Sequence, residues 1–515
     1  MFQYGIDHLT VSKALAIARG KLEARLTSAC VTKVEQSYRH VLAISQDEPA
    51  VYGINTGFGP LCDTKIDKVE TTKLQRNILW SHSVGVGEAI DEELSKLMLI
   101  CKVHALAQGY SGISVEILER IIWHIEQDVI PVVPAQGSVG ASGDLAPLSH
   151  LFLPLIGEGE VFYQGQRVKT AELFMSTGME SVSLHAKAGL ALINGTQFIL
   201  AHAVRLVDVL HVDLSHADIL GAMMIEGLLG SKAPFEEKLH QLRPYQGNLH
   251  VANRIRKFLF ESEIVDSHKN CGNVQDPYSL RCIPQVHGSS RTAWLHLKEA
   301  VEVELNAVTD NPVIFSQEET ISGGNFHGQP LALPIDYACL AAAELGNISD
   351  RRSYLSLEGK RDRTPKLLMT ETGTNSGFML VQYTTAALVS ENKGQCFPAS
   401  ADSIPTSLGQ EDHVSMGSIG ARKALRVCEN LTKILAGELI CAAQAMDFKK
   451  PLRSSAVLTH VHDHVRSVID HAKEDRIFSD DINKATDLLH SRELIQITWD
   501  HLGGFSSYDD LFERF

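Results

Sequence analysis

The chain has no C-x-x-C pair. Its nine cysteines stand singly along 515 residues, which excludes a zinc ribbon, a dithiol redox motif and, the number being odd, a fully paired disulfide framework. It has no basic excess either: 47 Lys and Arg against 62 Asp and Glu give a net charge of −15, the wrong sign for neutralising a nucleic-acid backbone. Blocks of like charge and low-complexity tails are missing. So is an unbroken apolar run of bilayer length. The longest apolar stretch, about 188–210, is interrupted by Asn194, Gln197, His202, Arg205 and Asp208, which suits a buried helix and not a membrane span. Residues 1–7 carry neither the basic nor the apolar region of a secretory signal. These absences lead us to expect a folded, cytoplasmic protein with reduced thiols.

What is present is helical periodicity. Ile90, Leu94, Leu97, Met98, Cys101 and Leu106 recur at helical intervals, as do Val115, Leu118, Ile122 and Ile125. Further long helices are predicted near 184–230, 289–308, 331–357, 373–391 and 415–447. Several are apolar on more than one face, the mark of helices inside a bundle or at a subunit interface. Strand signals are few and early: Val51-Tyr52-Gly53-Ile54, and a hairpin of Glu160-Val161-Phe162-Tyr163 and Gln166-Arg167-Val168 about a Gln164-Gly165 turn. The expected division is a mixed, loop-rich part over 1–200 and a helical bundle over 201–515. Two glycine-rich loops, 53–59 and 137–143, lack the Lys-Ser/Thr of a phosphate loop and open no clear βαβ unit.

Within the second loop lies Ala141-Ser142-Gly143. The Gly143 nitrogen, unhindered by a Cβ, can approach the Ala141 carbonyl carbon and close a five-membered ring. Loss of that water, and of the Ser142 hydroxyl as a second, leaves a dehydroalanine in an imidazolone, an electrophile that no ordinary side chain supplies. On its own such a run is a loop. Six other segments, however, combine reactive polar groups with Gly, Pro or Asn punctuation: Tyr52–Gly59, Ser81-His82-Ser83, Asn194-Gly195-Thr196, Gln275-Asp276-Pro277-Tyr278-Ser279-Leu280-Arg281, Gly323-Gly324-Asn325-Phe326-His327-Gly328 and Gln410-Glu411-Asp412-His413.

With these seven motifs in order, from Tyr52 to about residue 448, the chain resembles the histidine ammonia-lyases, within the aromatic amino acid ammonia-lyases that make their own methylidene-imidazolone. The resemblance implies a mainly α fold of fumarase/aspartase-like architecture, with an elongated central helical bundle and a smaller mixed N-terminal domain carrying the electrophile. It implies a homotetramer with shared active sites, no external cofactor and no metal. It also implies the loss of ammonia from L-histidine to give trans-urocanate, a step of histidine catabolism. That reaction removes a non-acidic Cβ proton, so a positioned base is needed beside the electrophile. The resemblance gives that role to Tyr52, whose phenol, titrating near pH ~10 when free, needs nearby positive charge or hydrogen-bond donors. Tyr278 is a second catalytic tyrosine, and Arg281, with Gln275 nearby, suits the substrate carboxylate through its planar fork. Asn194 is expected to hydrogen-bond the electrophile's carbonyl in an oxyanion-type role, and Phe326 to pack near the electrophile. His82 and Glu411 bear on the substrate ring. Phenylalanine-specific relatives usually carry Phe-Leu where Ser81-His82 stands, and do not usually place Glu at 411; a carboxylate there can accept an imidazole N–H and help position the leaving amine. Tyrosine or phenylalanine lyases and aminomutases use the same electrophile and stay open at this point, with a non-catalytic helical protein as the remote alternative.

Two positions depart from the pattern: Gly409 stands where many histidine lyases have Asn, and His287 where Met is more usual. A His460-x-His462-x-His464 run has metal-like spacing, but lacks a persuasive carboxylate pattern and reads as an amphipathic helix.

Overall fold

The computed structural model describes residues 1–46, 51, 53, 54, 56, 68–268, 274–502 and 511–515. Its centre is α1 (Gln197–Gly227), buried at almost every position. A helix apolar on all sides is stable only when surrounded, and this one is: Gly417–Asp447, Ile283–Leu305, Glu92–Leu106 and Gln329–Ser356 pack around it. Gln329–Ser356 is long and apolar enough to cross a bilayer by length and composition, but most of that stretch is buried against its neighbours.

The predicted helices form with small shifts of boundary. Val115–Glu126 matches its prediction, with Ile117, Leu118, Ile121 and Ile125 turned inward. Glu92–Leu106 begins where the Asp91 carboxylate accepts the Leu94 N–H at 3.0 Å, a side-chain cap for an otherwise orphaned donor. The helix expected over 184–230 is two, Ala188–Ile193 and Gln197–Gly227, because Gly195 sits at φ +129°, outside helical geometry. The hairpin forms as read, pairing Glu160 with Lys169 and Tyr163 with Gln166 across Gln164 and Gly165, both at positive φ. Its first strand also pairs antiparallel with Ile130–Pro131. One expectation fails. Val51, Gly53 and Ile54 form no strand; the Ile54 N–H closes a turn onto the Val51 carbonyl at 3.1 Å, and Gly53 at φ +70° bends the chain.

A buried ionic network ties the bundle together. Asp218 of α1 accepts from Arg254 Nε (3.0 Å), Arg291 Nη2 (2.6 Å) and His287 Nδ1 (2.9 Å). Burial alone would raise its carboxyl, but Arg291, the His287 hydrogen bond and Arg254 outweigh it and hold Asp218 well below the usual carboxylate range. Arg254 also reaches Glu513 at 2.9 Å, and the other nitrogen of His287 lies 3.3 Å from Arg352, itself paired with Glu438. The departure at His287 thus belongs to this network. His460, His462 and His464 go separate ways, to the Ala456 carbonyl, Asp447 and Glu493. Among the described residues no three potential ligands gather as a metal site would need.

Candidate active site

The loop over 137–144 is pinned to the start of α1. The Gly195 N–H donates to the Ser142 carbonyl at 3.0 Å, and the Asp144 N–H to the Gly195 carbonyl at 2.8 Å. The fit is tight: a Cβ on Gly143 would lie 2.1 Å from the Gly195 oxygen. Asp144, fully buried, accepts the Phe198 and Ile199 N–H groups at 3.0 Å each on Oδ2, and the Ser138 hydroxyl at 3.3 Å on Oδ1. These are the open donors of the helix start. Burial raises the Asp144 carboxyl to about 7 against the hydrogen bonds from Ile199, Phe198 and Ser138.

Between these anchors the atoms that must react are left alone. Among the described residues the Gly143 nitrogen, the Ala141 carbonyl oxygen and the Ser142 hydroxyl make no hydrogen bond. Ser142 and Gly143 both have positive φ, +46° and +84°, a conformation that serine adopts only where its surroundings impose it. The flanking peptide is fixed, and the tripeptide is bent and unbonded.

Beneath the loop lies a polar core. The Asn194 amide donates to Asp310 Oδ1 (3.1 Å) and to the Asn311 carbonyl (2.9 Å). Both its N–H bonds are therefore committed, and the atom left buried without a partner is the acceptor Oδ1. Lys102 Nζ donates to the Asn194 carbonyl; burial lowers its pKa to about 7, with Asp310 opposing. Lys187 Nζ lies 2.5 Å from the other oxygen of Asp310, both side chains buried. Asp144, Lys102, Lys187 and Asp310 carry no role in the sequence reading. The one signal was Lys102, a cation in a helix otherwise apolar around it; pairings 123 residues apart, as between Lys187 and Asp310, leave no local trace.

Ala141 opens onto a cleft of about 310 Å³ whose walls include His82 and Glu411. Glu411 Oε2 accepts the Thr406 hydroxyl at 3.0 Å and the Ser407 hydroxyl at 2.6 Å, while Oε1 has no hydrogen bond among the described residues. His82 Nδ1 lies 3.0 Å from Ser81 Oγ. Burial lowers the His82 pKa, partly offset by the Ile78 carbonyl and by Glu411. A fixed carboxylate with one open oxygen and an imidazole thus line one cleft with Ala141. Phe326 is half-buried outside this cleft; its neighbour His327 stacks on His413, with ring centroids 5.7 Å apart. Gly409 has φ +88° and no heavy atom within 4 Å of where a Cβ would stand. That geometry suits glycine first and asparagine next, so the departure there leaves the loop's path intact.

The remaining residues are not brought together in one chain. Tyr52 lies outside the described residues. Gln275, Tyr278 and Arg281 sit at the far end of α1: the Ser231 N–H donates to Asp276 at 2.7 Å, and Ile283 packs on Gly221. From Ile199, at the electrophile loop, to Gly221 is roughly 33 Å along the axis, at about 1.5 Å per residue. There Tyr278 is 70% exposed, with the Arg281 guanidinium 4.5 Å from its ring centroid. Arg281 Nε donates to the Asp276 carbonyl at 2.9 Å, and the group makes no ion pair among the described residues.

Comparison with known proteins gives a consistent picture. The model of the aromatic amino acid lyase family matches residues 9–467. The histidine ammonia-lyase of Myxococcus xanthus is 44% identical over 497 residues, covering 95% of this chain and 96% of that one. That of Sorangium cellulosum is 47% identical over 472 residues, covering 90% and 91%. Among solved structures, the histidine ammonia-lyase from Trypanosoma cruzi superposes with a TM-score of 0.91 at 37% identity, covering 99% of this chain and 97% of the other. The tyrosine aminomutase from Streptomyces globisporus superposes with a TM-score of 0.92 at 32% identity, covering 98% and 99%.

Proposed function

The chain belongs to the aromatic amino acid lyase family, and from that membership we propose that it is a histidine ammonia-lyase, a carbon–nitrogen lyase that converts L-histidine to trans-urocanate and ammonia. The observation that carries this reading is the unbonded Ala141-Ser142-Gly143 turn opening onto a cleft with Glu411 on its wall. The turn fits the methylidene-imidazolone: Gly143 has no Cβ, its nitrogen and the Ala141 carbonyl are uncommitted, and the peptides on either side are held by Gly195 and Asp144. Once formed, that group supplies the electron sink the reaction needs.

The chain's own residues do the rest. Glu411 Oε1 accepts the N–H of the substrate imidazole, while Thr406 and Ser407 hold its other oxygen and so fix the carboxylate's direction. A phenyl ring offers no such donor, which is why the curated relatives and this cleft point to histidine. His82, its pKa lowered by burial, lines the same cleft. The β-proton goes to Tyr52 Oη. Asn194, with both N–H groups taken by Asp310 and Asn311 and only the acceptor Oδ1 left, is a positioning residue beneath the loop and not the oxyanion-type donor the resemblance implied.

Arg281, with Gln275, binds the substrate's carboxylate and Tyr278 serves as the second catalytic tyrosine, all three from a neighbouring subunit, since in one chain they stand at the opposite end of α1. Assembly also accounts for an exposed apolar stripe: Leu333, Tyr337 and Leu340 on one face of Gln329–Ser356, with Leu380 and Tyr383 on Met379–Gln395 beside it, are all 46% or more exposed. A patch of that kind marks an interface, and a homotetramer closes it.

The test is product analysis of purified protein with L-histidine, L-tyrosine and L-phenylalanine offered separately. Urocanate and free ammonia from histidine alone are the expected result. A cinnamate would move the substrate, and a β-amino acid would move the reaction to an aminomutase. Intact mass short by two waters reports closure of the ring.

A further inference from the structure

A second cavity, of about 700 Å³, lies where α1 passes between the N-terminal helices Val11–Ala18 and Glu92–Leu106 and the helices Gly417–Asp447 and Phe478–Ser491. Five arginines line it. Four have carboxylate partners: Arg19 has Glu93 at 2.8 Å and Asp208 at 3.3 Å, and Arg492 shares Asp208 at 2.7 Å. Arg205 has Asp91 and, at 3.6 Å, Glu93, and Arg426 has Glu391 at 3.6 Å.

Arg422 has none. Among the described residues it makes neither ion pair nor hydrogen bond, and its Nε is sealed from solvent without an acceptor. Burial lowers its pKa, and no carboxylate opposes the shift. Glu429 lines the same cavity two turns further along the helix and forms no ion pair among the described residues. Arg422 is half-buried, with only its Nε sealed from solvent; a sealed N–H is stable only with an acceptor, and the guanidinium's planar fork matches an oxyanion in two places at once. Ile90, Leu94, Val209 and Leu425 form apolar wall beside it, and low-dielectric walls strengthen the attraction. The volume is within the roughly 300–1,000 Å³ of small-molecule sites.

We propose that this cavity binds the carboxylate or phosphate group of a small metabolite, with Arg422 as the anchoring residue and Arg426 and Arg492 at the rim. It is separate from the Ala141 cleft and shares no lining residue with it.

The experiment is calorimetric titration of the full chain with inorganic phosphate and, separately, with succinate, at ionic strength held constant with chloride. Saturable binding of phosphate alone assigns a phosphate group, of succinate alone a carboxylate, and of both a general oxyanion site. In each case Arg422→Gln is expected to weaken binding at least about tenfold, the loss of a charge-assisted bond. Arg422→Lys, which keeps the charge and removes the fork, falls between. Because Arg422 has no partner to lose, ligand-free Arg422→Gln is expected to melt at the wild-type temperature. Should that variant not fold, Arg422→Lys carries the same comparison. No saturable binding of either anion, or binding undiminished in the variants, overturns the site.

Discussion

Ser142 is the residue on which the chemistry turns, and its surroundings make it a clean test. Its hydroxyl has no hydrogen bond among the described residues, so Ser142→Ala removes the dehydroalanine precursor and little else. We expect turnover of histidine to fall at least about a thousandfold, a barrier increase of ~4 kcal/mol, with thermal stability within about 0.5 kcal/mol of wild type. Steady-state kinetics and a melting curve on one preparation check both. Near-wild-type turnover by the folded variant would refute the self-made electrophile. At this scale the sequence is most legible where chemistry limits residue choice, as with the missing Cβ at Gly143 and the Glu411 carboxylate on the cleft wall. It is least legible where a residue's meaning depends on distant partners. Asn194 illustrates this: its place in the site was readable, whereas the commitment of both its N–H bonds to Asp310 and Asn311 was not.

The element that organises the site is α1, and its start is held by one side chain. Asp144, at the end of the electrophile loop, accepts the Phe198 and Ile199 N–H groups, so loop and helix are fixed by the same carboxylate. Asp144→Ala leaves two buried donors unsatisfied and removes the link. We expect a stability loss of about 2–4 kcal/mol, at one or two for each orphaned group. Activity should fall further than stability explains, because the turn is no longer held bent for ring closure. Denaturant unfolding together with the fraction of chains lacking two waters by intact mass separates the effects. A variant of wild-type stability would show that the cap carries no weight. Helices were legible because apolar periodicity survives in any packing arrangement: Val115–Glu126 needs only its own residues to be read. The 51–54 segment was misjudged for the converse reason. Val51, Gly53 and Ile54 pair with no strand among the described residues, and a strand exists only by pairing.

Over the whole molecule, burial of ionisable groups sets how stability follows pH. His124 and His202 are buried, each with Nδ1 donating to a backbone carbonyl, of Val129 and Phe198, and burial lowers both to about 4. Unfolded, they titrate near ~6.5. Between those values the unfolded chain holds more protons, so their contribution is complete above about pH 6.5 and is lost as pH falls through 4. Replacing one, as in His124→Phe, should therefore flatten the acid limb of the urea-midpoint profile between pH 6.5 and 4 relative to wild type; an unchanged slope would mean His124 titrates normally. The architecture makes a stronger demand. Ser142 lies beside the start of α1 and Arg281 beside its far end, and the stretch of helix between them, Ile199 to Gly221, runs roughly 33 Å, too far for one amino acid to touch both in one chain. On the proposed function, a working site takes Ser142 from one subunit and Arg281 from another. Motif spacing alone could not say this, since motifs report which residues belong to a site and not which copy supplies them; only the family resemblance implied shared sites. Co-expressing Ser142→Ala with Arg281→Ala, each nearly inactive alone, should restore activity. With random mixing, roughly a quarter of sites draw an intact Ser142 from one parent and an intact Arg281 from the other. Sites contained within single chains would leave the mixture as inactive as its parents.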